Sequence, residues 1–334
     1  MRKRRRCFMV RFYQCMAFLL LAILFVMPQA RALDEAPQEE YAFILMSRAN
    51  PYWQAMIDGI EDTARDNGMN ASVHLVESDR AAEEQLNLCL AVAGKKPKLL
   101  AMSSVNSSVG IECFKRAKEL GVIVADMDSQ ITPEQAAAAG VPLAFTVGSD
   151  NLVIGQSAAI FLTQHAKGTT PEILVLEGAA GSPAGEKRVR GFKEQLAKDF
   201  PEAKIISSVS AEWDRLKAMQ IAGDTLRAHP NLDYIYAAND LMALGALEAM
   251  KSTGKAGQVK VIGVDGIKDA RDSVMQDGLL ATVAQLPYLV GKRAVELAIK
   301  AQPDQPAHSE VTATPVLTKE MLTRGTDPLL DYVR

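Results

Sequence analysis

From Tyr41 onward the chain alternates short, β-rich apolar runs with amphipathic stretches of roughly ten to eighteen residues, the length of a crossover helix, and no other feature narrows its possible folds so far. The runs are Tyr41–Met46, Ala71–Val76, Lys98–Met102, Val122–Ala125, Leu143–Val147, Glu172–Leu176, Lys204–Val209, Asp233–Ala238, Val259–Val264 and Leu279–Ala284. Largely apolar strands separated by helices build parallel sheets covered on both faces. Ten strands are more than one doubly wound sheet normally holds, and the small-residue run Ala136–Gly140, then Gly148, interrupt the pattern near its middle. The pattern predicts an α/β protein of two doubly wound parallel-sheet lobes with a cleft between them. A length of 334 residues suits two cores, because single domains stop growing at about 250–300 residues.

The first 32 residues read differently. MRKRRRCFMVRFYQC is a basic leader, Met16–Met27 is an apolar run too short to span a bilayer comfortably, and Ala30-Arg31-Ala32 places small residues at a cleavage site. A secretory signal peptide over residues 1–32, cleaved before Leu33, is expected. Cys15 precedes the apolar run, so it is wrongly placed to become a lipidated N-terminus. Seven of the 37 Lys/Arg and none of the 40 Asp/Glu lie in this leader, which leaves 30 basic and 40 acidic residues, a formal charge of −10, after its removal. A chain so acidic is a poor partner for nucleic acid. Cys89 and Cys113 remain, in a compartment that permits disulfides. The helices after the second and third strands should be neighbours, so the two cysteines either pair or are small buried hydrophobes, with Cys89 facing the sheet.

Ligands of open parallel sheets bind at the carboxyl ends of the strands, so those ends are where chemistry is sought. Asn239-Asp240 follows one strand and opens a helix, so it reads both as a helix cap and as an amide offered to a ligand. Asn50-Pro51-Tyr52-Trp53 follows the first strand, with Pro51 suited to a first helical turn and two aromatics that are either core or a stacking platform. Asp126-Met127-Asp128-Ser129 follows the fourth strand, and Asp126 reads as part of a solvated turn. Gly178-Ala179-Ala180-Gly181-Ser182 lacks both the Gly-Lys-Ser/Thr of a phosphate loop and the spacing of a nucleophile elbow. No catalytic constellation is found, so no enzyme is expected. His74, His165, His229 and His308 stand singly, so no metal site and no cofactor are expected.

Several motifs in order carry a resemblance over nearly all of the chain beyond the leader: Asn50-Pro51-Tyr52-Trp53, Arg188-Val189-Arg190-Gly191-Phe192, Trp213-Asp214-Arg215, Asn239-Asp240-Leu241-Met242-Ala243-Leu244-Gly245, Gly263-Val264-Asp265-Gly266 and Ala284-Gln285-Leu286-Pro287. With these the chain resembles the periplasmic sugar-binding proteins of the ribose-binding type (type I periplasmic binding proteins, the substrate-binding proteins of ABC transporters), nearest the allose-binding branch. That family is related to the ligand-binding core of the lactose-repressor family, but a signal peptide stands here where repressors carry a helix-turn-helix.

The resemblance implies a periplasmic protein, monomeric, that captures a sugar or polyol for an ABC importer. The alternative it leaves is a ligand-sensing subunit for a chemoreceptor or sensor kinase, so the membrane partner is a permease or a sensor domain. It implies lobes at residues 33–149 plus 286–314 and 150–285 plus 315–334, joined by a three-crossing hinge. The implied ligand contacts are Asn50, Tyr52, Trp53 and Asp128 in the first lobe, Arg188, Trp213, Asn239 and Asp265 in the second, and Gln285 at a crossing. Two departures bear on the ligand. Met46 stands where such relatives can place a polar contact, and Ser129 stands where ribose-binding relatives follow the aspartate with an arginine. With Ser129 in that place, a hexose or polyol is expected in preference to ribose, with Arg48 available as a partial substitute for the missing arginine.

Overall fold

The computed structural model describes residues 41–333 except 79–80, 129–130, 169 and 304. The leader lies outside the described residues, as does Ser129. Strands β1 (Tyr41–Leu45), β2 (Ala71–Leu75), β3 (Leu99–Met102), β4 (Ile123–Met127) and β5 (Phe145–Ser149) alternate with helices α1 (Pro51–Asp66), α2 (Ala82–Gly94), α3 (Ser107–Glu119) and α4 (Pro133–Ala138). Helix α5 (Asn151–His165) leads into β6 (Glu172–Glu177), α6 (Pro183–Asp199), β7 (Lys204–Ser210), α7 (Arg215–Ala228), β8 (Tyr234–Ala237), α8 (Asp240–Ser252), β9 (Lys260–Asp265), α9 (Lys268–Met275) and β10 (Ala281–Ala284). The chain ends with α10 (Pro287–Lys300), β11 (His308–Thr312), β12 (Val316–Leu317), α11 (Lys319–Arg324) and a 3-10 turn at Pro328–Tyr332.

Two six-stranded sheets result, in the orders β11-β5-β4-β3-β1-β2 and β12-β10-β9-β8-β6-β7. The two orders are equivalent, strand for strand. Every pairing is parallel except β10 with β12. The strands are apolar because helices cover both faces: Phe43, Phe114 and Phe145 are fully buried in the first core, Phe192 and Tyr236 in the second. The rings of Phe192 and Tyr236 stack 4.1 Å apart, which fastens α6 to β8.

The chain passes between the sheets three times. After β5 it continues into α5, which packs on α6; after β10 it returns in α10, which packs on α1 and β5; and after β11 it crosses again to β12. Helices α5 and α6 touch backbone to backbone. A Cβ at Gly155 would lie 2.0 Å from the Arg188 carbonyl oxygen, and one at Gly191 would lie 2.2 Å from that of Leu152, so both positions require glycine.

All ten expected strands are present, and two were not foreseen. β11 is a polar edge strand, His-Ser-Glu-Val-Thr, and β12 has two residues, so neither carries an apolar run. The small-residue stretch after residue 132 forms α4, started by a capping box between Thr132 and Gln135. Asp126 corrects the reading of a solvated turn: β4 extends to Met127, and Asp126 is a fully buried strand residue.

Candidate functional site

The carboxyl ends of the two sheets face a cavity of about 510 Å³. All nine expected contacts line it: Asn50, Tyr52, Trp53, Asp128, Arg188, Trp213, Asn239, Asp265 and Gln285. Each is placed by a local backbone device. Asn50 is extended and caps α1, its Oδ1 accepting the Tyr52 amide at 3.0 Å, and Pro51 opens the helix. The first turn therefore carries Tyr52 and Trp53 into the cavity wall, with their rings edge to face at 4.9 Å. Asn239 caps α8 in the same way, its Oδ1 accepting the Met242 amide at 2.9 Å. Asn239 is thus both helix cap and cavity wall: the capping oxygen is turned into the helix, and Nδ2 has no hydrogen-bond partner among the described residues.

The acidic and aromatic residues are aimed by backbone with positive φ. Asp128 has φ 68°, Asp265 φ 118°, Glu212 φ 56° and Trp213 φ 61°. Such conformations cost about 1–3 kcal/mol each for residues with a Cβ, so surrounding contacts must hold them. At Asp128 the amide donates to the Val147 carbonyl at 2.6 Å, and at Asp265 the carbonyl accepts the Gln285 amide at 3.0 Å. The Trp213 indole is seated on Gly178, where a Cβ would lie 2.1 Å from its Cζ2, and the Arg188 guanidinium lies 5.7 Å from the ring centre.

A buried hydrogen-bonded chain links the two sheets along the cavity wall. Tyr52 Oη donates to Asp128 Oδ1 at 2.6 Å and lies 3.4 Å from Gln285 Oε1; Gln285 Nε2 donates to Asp265 Oδ1 at 2.8 Å; and Arg188 Nη1 donates to the same oxygen at 3.3 Å. Burial, then the Asp128 charge, push the Tyr52 hydroxyl well above its ordinary pKa, so it remains a donor. Burial pushes Asp265 up to about 6, against the opposing pull of Arg188 and Gln285. Asp240, beside Asn239, does not line the cavity: its carboxylate accepts from Thr282 Oγ1 at 2.8 Å and from the Ile267 amide at 3.0 Å, tying the loop after β9 to α8.

Arg48 is exposed and is not among the residues that line the cavity. Met46 does line the cavity, as do Asn106, Ser108 and Glu212, which the sequence reading passed over. Asn106 caps α3 after β3, the strand equivalent to β8, so it is the first-sheet counterpart of Asn239. The polar-residue-before-helix signal that singled out Asn239 was present there too. Carboxylates, amides, a guanidinium and aromatic faces converging on one cavity can engage vicinal hydroxyls while rings cover a C–H face.

Residues 41–303 match the periplasmic binding protein domain. The D-allose-binding periplasmic protein of Escherichia coli is 34% identical over 263 residues, 79% of this chain and 84% of that protein. The ribose import binding protein of the same organism is 31% identical over 264 residues, again 79% of this chain and 84% of the relative. Among solved structures, an ABC transporter periplasmic solute-binding protein of Actinobacillus succinogenes with bound D-allose superposes with a TM-score of 0.78 at 30% identity, covering 85% of this chain and 99% of that one.

Proposed function

The chain belongs to the periplasmic binding protein family, and from that premise we propose that it captures a sugar or polyol in the cavity between its two sheets and delivers it to the membrane permease of an ABC importer. The observation that carries this reading is the convergence of Asn50, Tyr52, Trp53 and Asp128 from one sheet, and of Arg188, Trp213, Asn239, Asp265 and Gln285 from the other, on one cavity. These nine residues are the proposed ligand contacts, and the chemistry is reversible capture without turnover. The lobes are residues 33–149 plus 286–314 and 150–285 plus 315–334, a division supported by the strands each sheet takes. The protein acts as a monomer in the periplasm, exported by a leader cleaved before Leu33.

A hexose or polyol is the proposed ligand. Position 129 is serine, so the bidentate, permanently charged donor of ribose-binding relatives is absent, and Arg48 is not among the residues that line the cavity. An unreplaced charge-assisted hydrogen bond costs about 1.5–3 kcal/mol, or about one to two decades in affinity. The relationship to an allose-binding protein and to a structure holding D-allose points the same way. A thermal-shift panel of pentoses, hexoses and polyols, followed by calorimetry on the hits, tests both claims. A panel in which no sugar or polyol raises the melting temperature overturns the capture reading. Ribose binding more tightly than every hexose and polyol overturns only the choice of ligand.

A further inference from the structure

Arg188 reaches the cavity from α6 on a long, flexible side chain, and that side chain is held in one orientation at only 5% exposure. Its Nη1 donates to the Ala238 carbonyl at 2.7 Å and to Asp265 at 3.3 Å, both at strand ends of the second sheet. Its Nε donates to Asn151 Oδ1 at 2.8 Å, where the chain has just entered the second lobe. Asn151 is the first residue of α5, two residues beyond the end of β5 in the first sheet, at the point where the chain first crosses between the sheets. An asparagine in the first turn of a helix is ordinarily solvated; this one is 2% exposed, and its Nδ2 donates back to the Ser149 carbonyl at 3.4 Å. Because α5 and α6 touch backbone to backbone through Gly155 and Gly191, the start of α5 and the Arg188 backbone are held together.

We infer that Asn151 is a positioning residue for ligand capture. Its amide oxygen holds the Arg188 guanidinium so that Nη2, which has no hydrogen-bond partner among the described residues, is the nitrogen offered to the cavity, and its amide nitrogen ties that arrangement to the last residue of β5. Ligand contact and first crossing then form one hydrogen-bonded unit, so rotation of the lobes about this crossing acts on Arg188 directly. The inference rests on the reading of the cavity as a sugar site with Arg188 among its contacts.

The test is a double-mutant cycle read by calorimetry with D-allose as the probe and by the melting temperature of the ligand-free protein. Asn151→Ala removes the acceptor from a buried Nε and is expected to weaken binding by about tenfold or more. Asn151→Asp keeps the acceptor for Nε but loses the donor to the Ser149 carbonyl, so it is expected to bind more weakly than the unsubstituted protein and more tightly than the alanine variant. In an Arg188→Met background the Asn151→Ala substitution is expected to change affinity no further, an outcome that a purely structural role would not produce. Equal losses from Asn151→Ala with and without Arg188, or equal losses from the alanine and aspartate variants, overturn the inference. If Arg188→Met leaves D-allose affinity unchanged, Arg188 is not a ligand contact, and the assignment of the site fails along with the role of Asn151.

Discussion

At the residue scale, the site depends on side chains held in conformations that their own backbones disfavour. Trp213, at φ 61°, lies flat on Gly178, and a methyl group there would meet three atoms of the indole within 2.6 Å. Gly178→Ala is therefore expected to drive the indole into the cavity and weaken sugar binding by about tenfold or more, and Trp213→Phe in the same background to recover part of that loss, because a phenyl ring lacks the atoms that collide. Trp213→Ala should remove most of the affinity, since it deletes the aromatic face of the second lobe. Calorimetry on the three variants checks both expectations. Asp265 sets a pH dependence. Its folded pKa of about 6 lies above the ordinary 3.8, so between those values the folded state binds more protons than the unfolded one, and its contribution to stability falls as pH rises through the window. Asp265→Asn lacks that loss, so the stability of the variant relative to the unsubstituted, ligand-free protein should rise from pH 4 to pH 7, as read by urea unfolding at a series of pH values. A difference that stays flat or falls across the window counts against the raised pKa.

At the element scale, Cys89 in α2 and Cys113 in α3 form a disulfide, with both residues fully buried. The sequence left pairing and burial as alternatives because α2 is apolar on most of its circumference, so its pattern does not say which way Cys89 points. Only the packing of α2 beside α3 brings the Cα atoms to 5.9 Å. The bridge closes a loop with a sequence separation of 24, for which the chain-entropy account gives about 3.5 kcal/mol. A Cys89→Ser, Cys113→Ser variant should lose stability of that order by urea unfolding, and two free thiols in the denatured, non-reduced protein would refute the bridge. Eight of the ten foreseen strands are internal to their sheets, and the edge strands β2 and β7 still carry apolar residues, whereas β11 is polar and β12 has only two residues. A strand covered on both faces must be apolar throughout, whereas an edge strand is constrained on one side only, and β11 exposes His308 and Ser309.

At the scale of the whole molecule, ligand capture should couple the two sheets through the Tyr52–Gln285–Asp265–Arg188 chain and the three crossings beneath it. Trp53 and Trp213 face the cavity from opposite sheets, so binding is expected to change tryptophan fluorescence and to raise the melting temperature. At a ligand concentration of about 100 times Kd the stabilisation is about 2.7 kcal/mol by mass action. Fluorescence titration and thermal scans on the same sample check this, and a ligand that binds by calorimetry without either change would argue against a cavity that engages both lobes.

By itself the sequence determined the class of fold, the order of the strands along the chain and the residues at the strand ends, because burial between helix layers imposes an apolar run on each internal strand and leaves polar residues to begin the next helix. It also carried the nine expected contacts, eight of them in motifs kept in order along the chain and Asp128 by its place after the fourth strand. Only the tertiary structure decided which of those polar residues share one oxygen, as Gln285 and Arg188 share Asp265. It decided as well that Asp126 is buried, that Arg48 does not line the cavity, and that Asn106 and Glu212 do. Those outcomes depend on helix rotation and on where each strand ends to within a residue, and they are fixed by contacts between segments far apart in the chain, which no local pattern records.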